Sequence, residues 1–251
     1  NVNDDLNVFF NTGLVEKAPI MDNVIYFDGT VASDPANEKF LHNEFGVNYR
    51  FGKLGINASA YNTDWQDRNL TKSVTTGQGD SGDTDVIFLT GVNQKHSGVE
   101  LETNYMVNDM LDLMFVASFG NWKFDGDANG NYQETEYNSE GQAIGYTTTE
   151  YAYALDGLYV GDMPQTSYVL GVTLKPIKDL RIQAIHKMYD KNYSDWSPSA
   201  REFDGTNDDA DRAQVWEAPS YNRLDLHMSY KLPKVKDLDM MLTANVFNVL
   251  D

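Results

Sequence analysis

Phe45-Gly46-Val47-Asn48-Tyr49-Arg50-Phe51, Gly52-Lys53, then Leu54-Gly55-Ile56-Asn57-Ala58-Ser59-Ala60-Tyr61 is the stretch that decides the fold. Phe45, Val47, Tyr49 and Phe51 alternate with Gly46, Asn48 and Arg50. Gly52-Lys53 turns the chain, and Leu54, Ile56, Ala58 and Ala60 alternate with Gly55, Asn57, Ser59 and Tyr61. A period of two with one apolar face describes a half-buried strand. Two such runs joined by two residues describe a hairpin, 41–51 with 54–65.

The design returns three times. In 97–124, Val99, Leu101 and Tyr105 oppose Glu100, Glu102 and Asn104. Beyond the turn at 107–110, Leu111, Leu113, Phe115, Ala117 and Phe119 take the apolar face. In 166–193, joined through 175–178, Tyr168, Leu170, Val172, Leu174, Leu180, Ile182 and Ala184 oppose Arg181, Gln183 and Lys187. In 221–249, around Pro233, Leu224, Leu226, Met228 and Tyr230 oppose Arg223, Asp225, His227 and Ser229. With a strand tail at 7–11, the count is about nine strands.

Soluble sandwiches also alternate, but their strands average about 5–6 residues. A tilted membrane strand needs about 9–11, and these runs have that length. The connections at 12–40, 67–85 and 125–165 are long, whereas the turns near Gly52, Asn108, Pro176 and Pro233 are short. Short turns at one end and long loops at the other describe an outer-membrane barrel. The expectation is an all-β fold, an antiparallel transmembrane β-barrel portion over 1–251 with long extracellular loops at Gly79, Gly141 and beyond.

Composition agrees and narrows the function. Among 251 residues there is no cysteine, so disulfides, thiolate metal sites and cysteine nucleophiles are excluded. No run of 18 apolar residues occurs, so no spanning helix is encoded. A net charge of −19 disfavours nucleic acid. The acids concentrate in the long loops, at Asp125, Asp127, Glu134, Glu136 and Glu140, and at Glu202, Asp204, Asp208, Asp209 and Asp211. Lys53, Lys175, Lys178, Lys234 and Lys236 lie at the short turns. His42, His96, His186 and His227 are scattered without a nucleophile motif, and no phosphate loop follows a strand, so no enzyme is expected.

Several segments in order resemble the C-terminal barrel part of TonB-dependent outer-membrane receptors. They are Val8-Phe9-Phe10-Asn11-Thr12-Gly13 with Lys17-Ala18-Pro19, Asn37-Glu38-Lys39-Phe40 leading to Asn43-Glu44-Phe45-Gly46, and Gly91-Val92-Asn93 with Ser97-Gly98-Val99-Glu100-Leu101-Glu102. Val160-Gly161-Asp162-Met163-Pro164-Gln165 and Asn245-Val246-Phe247-Asn248-Val249-Leu250-Asp251 complete the set. The resemblance implies the C-terminal portion of a 22-stranded barrel in the outer membrane of a Gram-negative bacterium, with the plug domain and the final strand lying outside 1–251. It implies import of a small nutrient ligand, whether carbohydrate, peptide, cobalamin or ferric chelate. The implied partners are outer-membrane lipid, TonB through an N-terminal region outside this chain, and a surface lipoprotein. A smaller passive barrel or adhesin without a plug is the alternative.

Two sets of candidate site residues stand out. Asp125, Asp127, Asn129, Asn131 and Glu136, with Gly130 at position 6, fit the spacing of a calcium loop, although Tyr132 occupies the usual aliphatic place and strands rather than helices flank it. Trp122, Tyr159, Tyr193, Trp196 and Trp216 lie where strands meet long loops, as ligand-stacking rings or as an interfacial girdle.

Overall fold

The computed structural model describes residues 3–26, 28–32, 35–75, 84–203 and 210–250. The loop tip with Gly79, and Asp204, Asp208 and Asp209, lie outside them. Among the described residues thirteen strands form one antiparallel sheet. The wall of the molecule consists of β1 (Leu6–Lys17), β2 (Glu38–Phe51), β3 (Leu54–Thr75), β4 (Thr84–Asn108) and β5 (Leu111–Phe124). It continues through β8 (Pro164–Leu174), β9 (Leu180–Tyr193), β12 (Tyr221–Lys231) and β13 (Met241–Val246). These nine neighbour one another in that order and match the alternating runs of the sequence, whereas the expected count of about nine misses the four strands off this path. β1 and β13 are not partners, and the wall is an open curved sheet.

Sequence parity fixes which face is which. Register runs straight across the sheet, for example Tyr49–Ile56–Thr103–Phe115–Leu170–His186. This row faces the convex side. Phe45, Phe51, Val99, Phe115, Leu170 and Leu226 are exposed there although nothing polar masks them. A contiguous apolar band of this kind has no place in water and belongs against lipid. On β3–β5 the band ends at Asn62, Ser97 and Asn121, with Asp64, Lys95 and Lys123 beyond. The opposite parity is concave and polar. Asn48, Arg50, Asn57, Asn104, Thr173, Arg181 and Gln183, from strands far apart in the order, line one hollow of about 720 Å³. Residues of β2 and β9 can share a hollow only if the sheet curls around that face.

The remaining strands correct the reading of the loops. The segments 67–85 and 125–165 are not simple loops. β3 and β4 run on past the band, 22 and 25 residues long. They are bent by register shifts between Trp65 and Leu70, where Asp67 takes φ 55°. β6 (Ala128–Tyr137) pairs with the extension of β4, β7 (Ala143–Tyr153) with β6, and β10 (Glu202–Phe203) with β7. β11 (Glu217–Ala218) closes on β9. Together they make a folded head at the end away from the short turns.

The head holds the molecule's dry core. Ile87, Leu89, Val92, Phe124, Ala128, Tyr153, Leu155, Leu158, Tyr193, Trp196 and Val215 pack as one buried cluster. The extension of β4 is covered on both faces, which its run Val86-Ile87-Phe88-Leu89 requires. On one side the Asn23 amide donates to the Leu89 carbonyl at 3.0 Å, and the Tyr26 ring sits 5.2 Å from Phe88. On the other lie Tyr153, Leu155 and Trp196.

Candidate functional site

The five aromatic candidates fall into two places. Tyr193 and Trp196 are buried in the head core, so they hold the head together and present no open ring face. Tyr159 stacks on Tyr193 with centroids 4.2 Å apart, and Lys123 lies 4.6 Å over Tyr159. Trp216 is 65% exposed on the surface of the head. Trp122 is elsewhere, on the concave wall just above the apolar band.

The calcium-loop candidates do not come together. From Ala128 onward the segment is strand β6, paired on both edges. An extended strand advances about 3.3 Å per residue, which separates Asp127 from Glu136 by about 30 Å. A calcium loop must instead wrap its ligands around one point. Four of the five groups already have protein partners. Asp125 pairs with Lys95 at 2.7 Å. Both Asp127 carboxylate oxygens accept from the Arg212 guanidinium, at 3.1 and 2.8 Å. The Asn131 amide donates to the Tyr26 hydroxyl at 2.8 Å, and Glu136 accepts from the Thr147 hydroxyl. The pattern matched residue types, but the alternating β6 face overrode it.

Asp127 is instead a staple of the head. Besides Arg212 it accepts the Leu155 and Asp156 amides at 3.0 and 3.1 Å. The Arg212 guanidinium is the main reason its carboxyl is held below the usual range, with the two amides adding to the effect. A second staple joins Lys72 to Asp195, with the Lys72 ammonium 4.9 Å over the Trp196 ring. The Tyr132 hydroxyl donates to the buried Asp85 at 2.6 Å.

The concave wall carries a feature that no motif announced. Four successive inward rows each contribute rings. The uppermost has Phe40 and Trp65, the next His42, His96 and Trp122, the third Tyr61 and the fourth Phe9. Rows on one face are two residues apart, so the series spans about 20 Å. The rings touch: Phe40 meets Trp65 edge-on at 5.7 Å, and His96 stacks on Trp122 at 5.5 Å. His42 stacks on Tyr61 at 6.4 Å and hydrogen-bonds the Thr63 hydroxyl at 2.8 Å. The Trp122 indole donates to the Tyr61 hydroxyl at 2.8 Å, and the Trp122 backbone is clamped by the Gln165 amide at 2.8 and 3.0 Å. Arg68 lies 4.2 Å over the Trp65 ring and donates to Gln94 at 3.0 Å.

Glycines let these rings lie flat. Phe9 crosses Gly46, its register partner, and the Phe9 ring occupies the space a Cβ would need. A Cβ at Gly98 would stand 2.5 Å from the Tyr61 hydroxyl and 2.7 Å from the Phe119 carbonyl. One at Gly120 would stand 2.9 Å from the Trp122 indole. Glycine inside a strand marks close approach. The pairing of Gly46, Gly98 and Gly120 with nearby aromatics was therefore the sequence signal for this wall, legible only once the register was known.

Among the described residues no three His, Asp or Glu gather as a metal site. His186 lies on the convex face and His227 on the concave face, hydrogen-bonded to Asn245 at 2.8 Å.

A family model for the TonB dependent receptor-like β-barrel matches residues 1–249. No curated protein matches the chain. Among solved structures, the copper transporter OprC shares 16% identity at a TM-score of 0.63, over 99% of this chain and 32% of its own. The ferric-catecholate import receptor Fiu from K12 E. coli shares 14% at 0.58, over 100% of this chain and 29% of its own. The siderophore receptor PiuA from Acinetobacter baumannii shares 17% at 0.58, over 96% and 29%. The chain therefore spans about a third of the length of the structures it resembles.

Proposed function

The chain belongs to the TonB-dependent receptor-like β-barrel family, a family of outer-membrane barrels, and from that premise we propose that it supplies wall and mouth to an energised importer of a small nutrient. The carrying observation is the division of labour between ends and faces. The convex band fixes the wall in the bilayer, the concave face offers polar groups and rings, and the folded head stands over the outer end. Ligand is captured at the head and passed along the concave wall. TonB engages the receptor through a region outside this chain and provides the energy. Glu44, Glu100 and Glu102 on the concave rows, with the net charge of −19, disfavour a strongly anionic ligand.

The test uses the native bacterium. Strains lacking this receptor, lacking TonB, or lacking both are grown on single limiting sources of carbohydrate, peptide, cobalamin and iron. One source should expose a growth defect of the receptor strain that the TonB strain shares and that the double strain does not deepen. Receptor-dependent uptake that persists without TonB would overturn the importer in favour of a passive barrel.

A further inference from the structure

We infer that Lys95, Lys123, Ser97 and Asn121 form a site on the convex wall for the phosphate of an outer-leaflet lipid. The inference rests on the lipid-facing assignment of the convex band and is independent of the importer reading. Register builds the site. Lys95 pairs with Lys123, and two residues nearer the band Ser97 pairs with Asn121. All four side chains leave the convex face, because they share the parity of Val99, Phe115 and Phe119. Neighbouring strands lie about 4.8 Å apart and successive residues of one face about 7 Å apart, so the four make one compact patch. Like charges directly opposite each other on paired strands cost stability. Two lysines so placed stand out in a chain of net charge −19, and an anion held between them relieves the repulsion.

What covers the patch follows from the row beneath it. Val99 and Phe119, the next register pair on this face, are 49% and 43% exposed and belong to the apolar band. The headgroup zone adds about 5–8 Å to each side of the hydrocarbon core. Ser97 and Asn121 stand about 7 Å past the last apolar pair, and lysine stems reach back toward the same level. The patch is therefore continuous with the lipid interface, with a headgroup against the donors and an acyl chain against Val99 and Phe119. Its donors are largely unspent. Among the described residues Lys123 has no carboxylate partner, and its ammonium lies 4.6 Å over the Tyr159 ring. Lys95 bonds Asp125 at 2.7 Å in an exposed pair, which uses one of its three N–H groups and is weak in water. Asp125 lies on the row above, away from the bilayer. Asp64 flanks Lys95 on the β3 side, so the phosphate is seated on the β5 side, between Lys95, Lys123 and Asn121.

The experiment uses the full-length receptor, purified in detergent, with every variant checked as a heat-modifiable barrel. Binding is measured to bis-phosphorylated lipid A, to the same lipid after enzymatic removal of its phosphates, and to inorganic phosphate. Variants are Lys123→Gln, Lys123→Arg and the double variant Lys95→Gln with Lys123→Gln. The charge control is Lys39→Gln, a convex lysine of β2 that is 49% exposed. The expected result is saturable binding of the phosphorylated lipid, weakened severalfold by Lys123→Gln and tenfold or more by the double variant. Lys123→Arg should retain most of it, and Lys39→Gln all of it. The dephosphorylated lipid should bind the wild-type receptor as weakly as the phosphorylated lipid binds the double variant. Equal binding of the two lipids, binding untouched by the double variant, or an equal loss in Lys39→Gln would overturn the site. Inorganic phosphate that binds as tightly as the lipid would also overturn it, in favour of a free-phosphate site.

Discussion

Leu170 and Leu226 sit in the middle of the convex band with no protein group over them, 50% and 36% exposed. An arginine near a bilayer midplane costs about 2–4 kcal/mol. Leu170→Arg and Leu226→Arg should lose about that much in reversible unfolding of the receptor in lipid. Gln183→Arg, on the concave face beside Thr173, should lose far less. Equal losses would mean that the face assignment is wrong. His96 offers a second residue-scale reading, outside the band. Burial pushes its imidazole down to about 4, and the neighbouring Arg68 charge acts in the same direction. A folded value below the free one favours the neutral ring. The stability this lends is full above the free value of about 6.5 and is lost as pH falls through about 4. Protonation changes the ring stacked on Trp122. The tryptophan fluorescence of the receptor, minus that of His96→Gln, should therefore titrate near pH 4, and a midpoint near 6.5 would show a solvated ring.

The head is the element that the sequence concealed best. Val86-Ile87-Phe88-Leu89 carries the signature of a strand buried on both faces. It lay beyond a polar stretch that turn chemistry describes equally well, and the bulge at Asp67 breaks the alternation that would have linked it to β3. β6 was hidden by its own residues, since Asp125 to Glu136 spells a calcium loop while Asp125, Asp127, Asn131 and Glu136 pair elsewhere in the head. The wall hairpins, by contrast, were legible to within a few residues, because lipid on one side and a polar lumen on the other enforce strict alternation. Leu89→Ala should cost the head about 2–5 kcal/mol. The readout is faster extracellular cleavage between β6 and β7 in a barrel that remains heat-modifiable. Unchanged cleavage would mean that the core is not shared. Asp127→Asn should loosen the same loops by at most about 1 kcal/mol, as partly exposed ion pairs do. Its effect should vanish in acid. The carboxyl is held low by Arg212, so the staple acts above the ordinary carboxylate range and is lost as pH falls through the folded value.

At the scale of the whole molecule, the dry core sits in the head and the exposed apolar surface sits on the wall, the inverse of a water-soluble domain. The short turns gather at one end of the wall and the head at the other, and outer-membrane barrels keep their short turns on the periplasmic side, so the expected orientation has the head outside. The positions of the rings followed from register rather than from any motif, which is why the ring series on the concave wall was invisible to spacing rules while the band was not. The importer reading depends on this orientation, because a head facing inward could not capture external ligand. Single cysteines at Gly52, Asn108, Pro176 and Pro233, and at Gly141 and Trp216, can be placed in the full-length receptor, which has no cysteine in this region. Intact cells are then treated with a membrane-impermeant maleimide. Gly141→Cys and Trp216→Cys should label at once, and the four turn positions only after the outer membrane is permeabilised; labelling of the turns in intact cells with protection of the head would contradict the account.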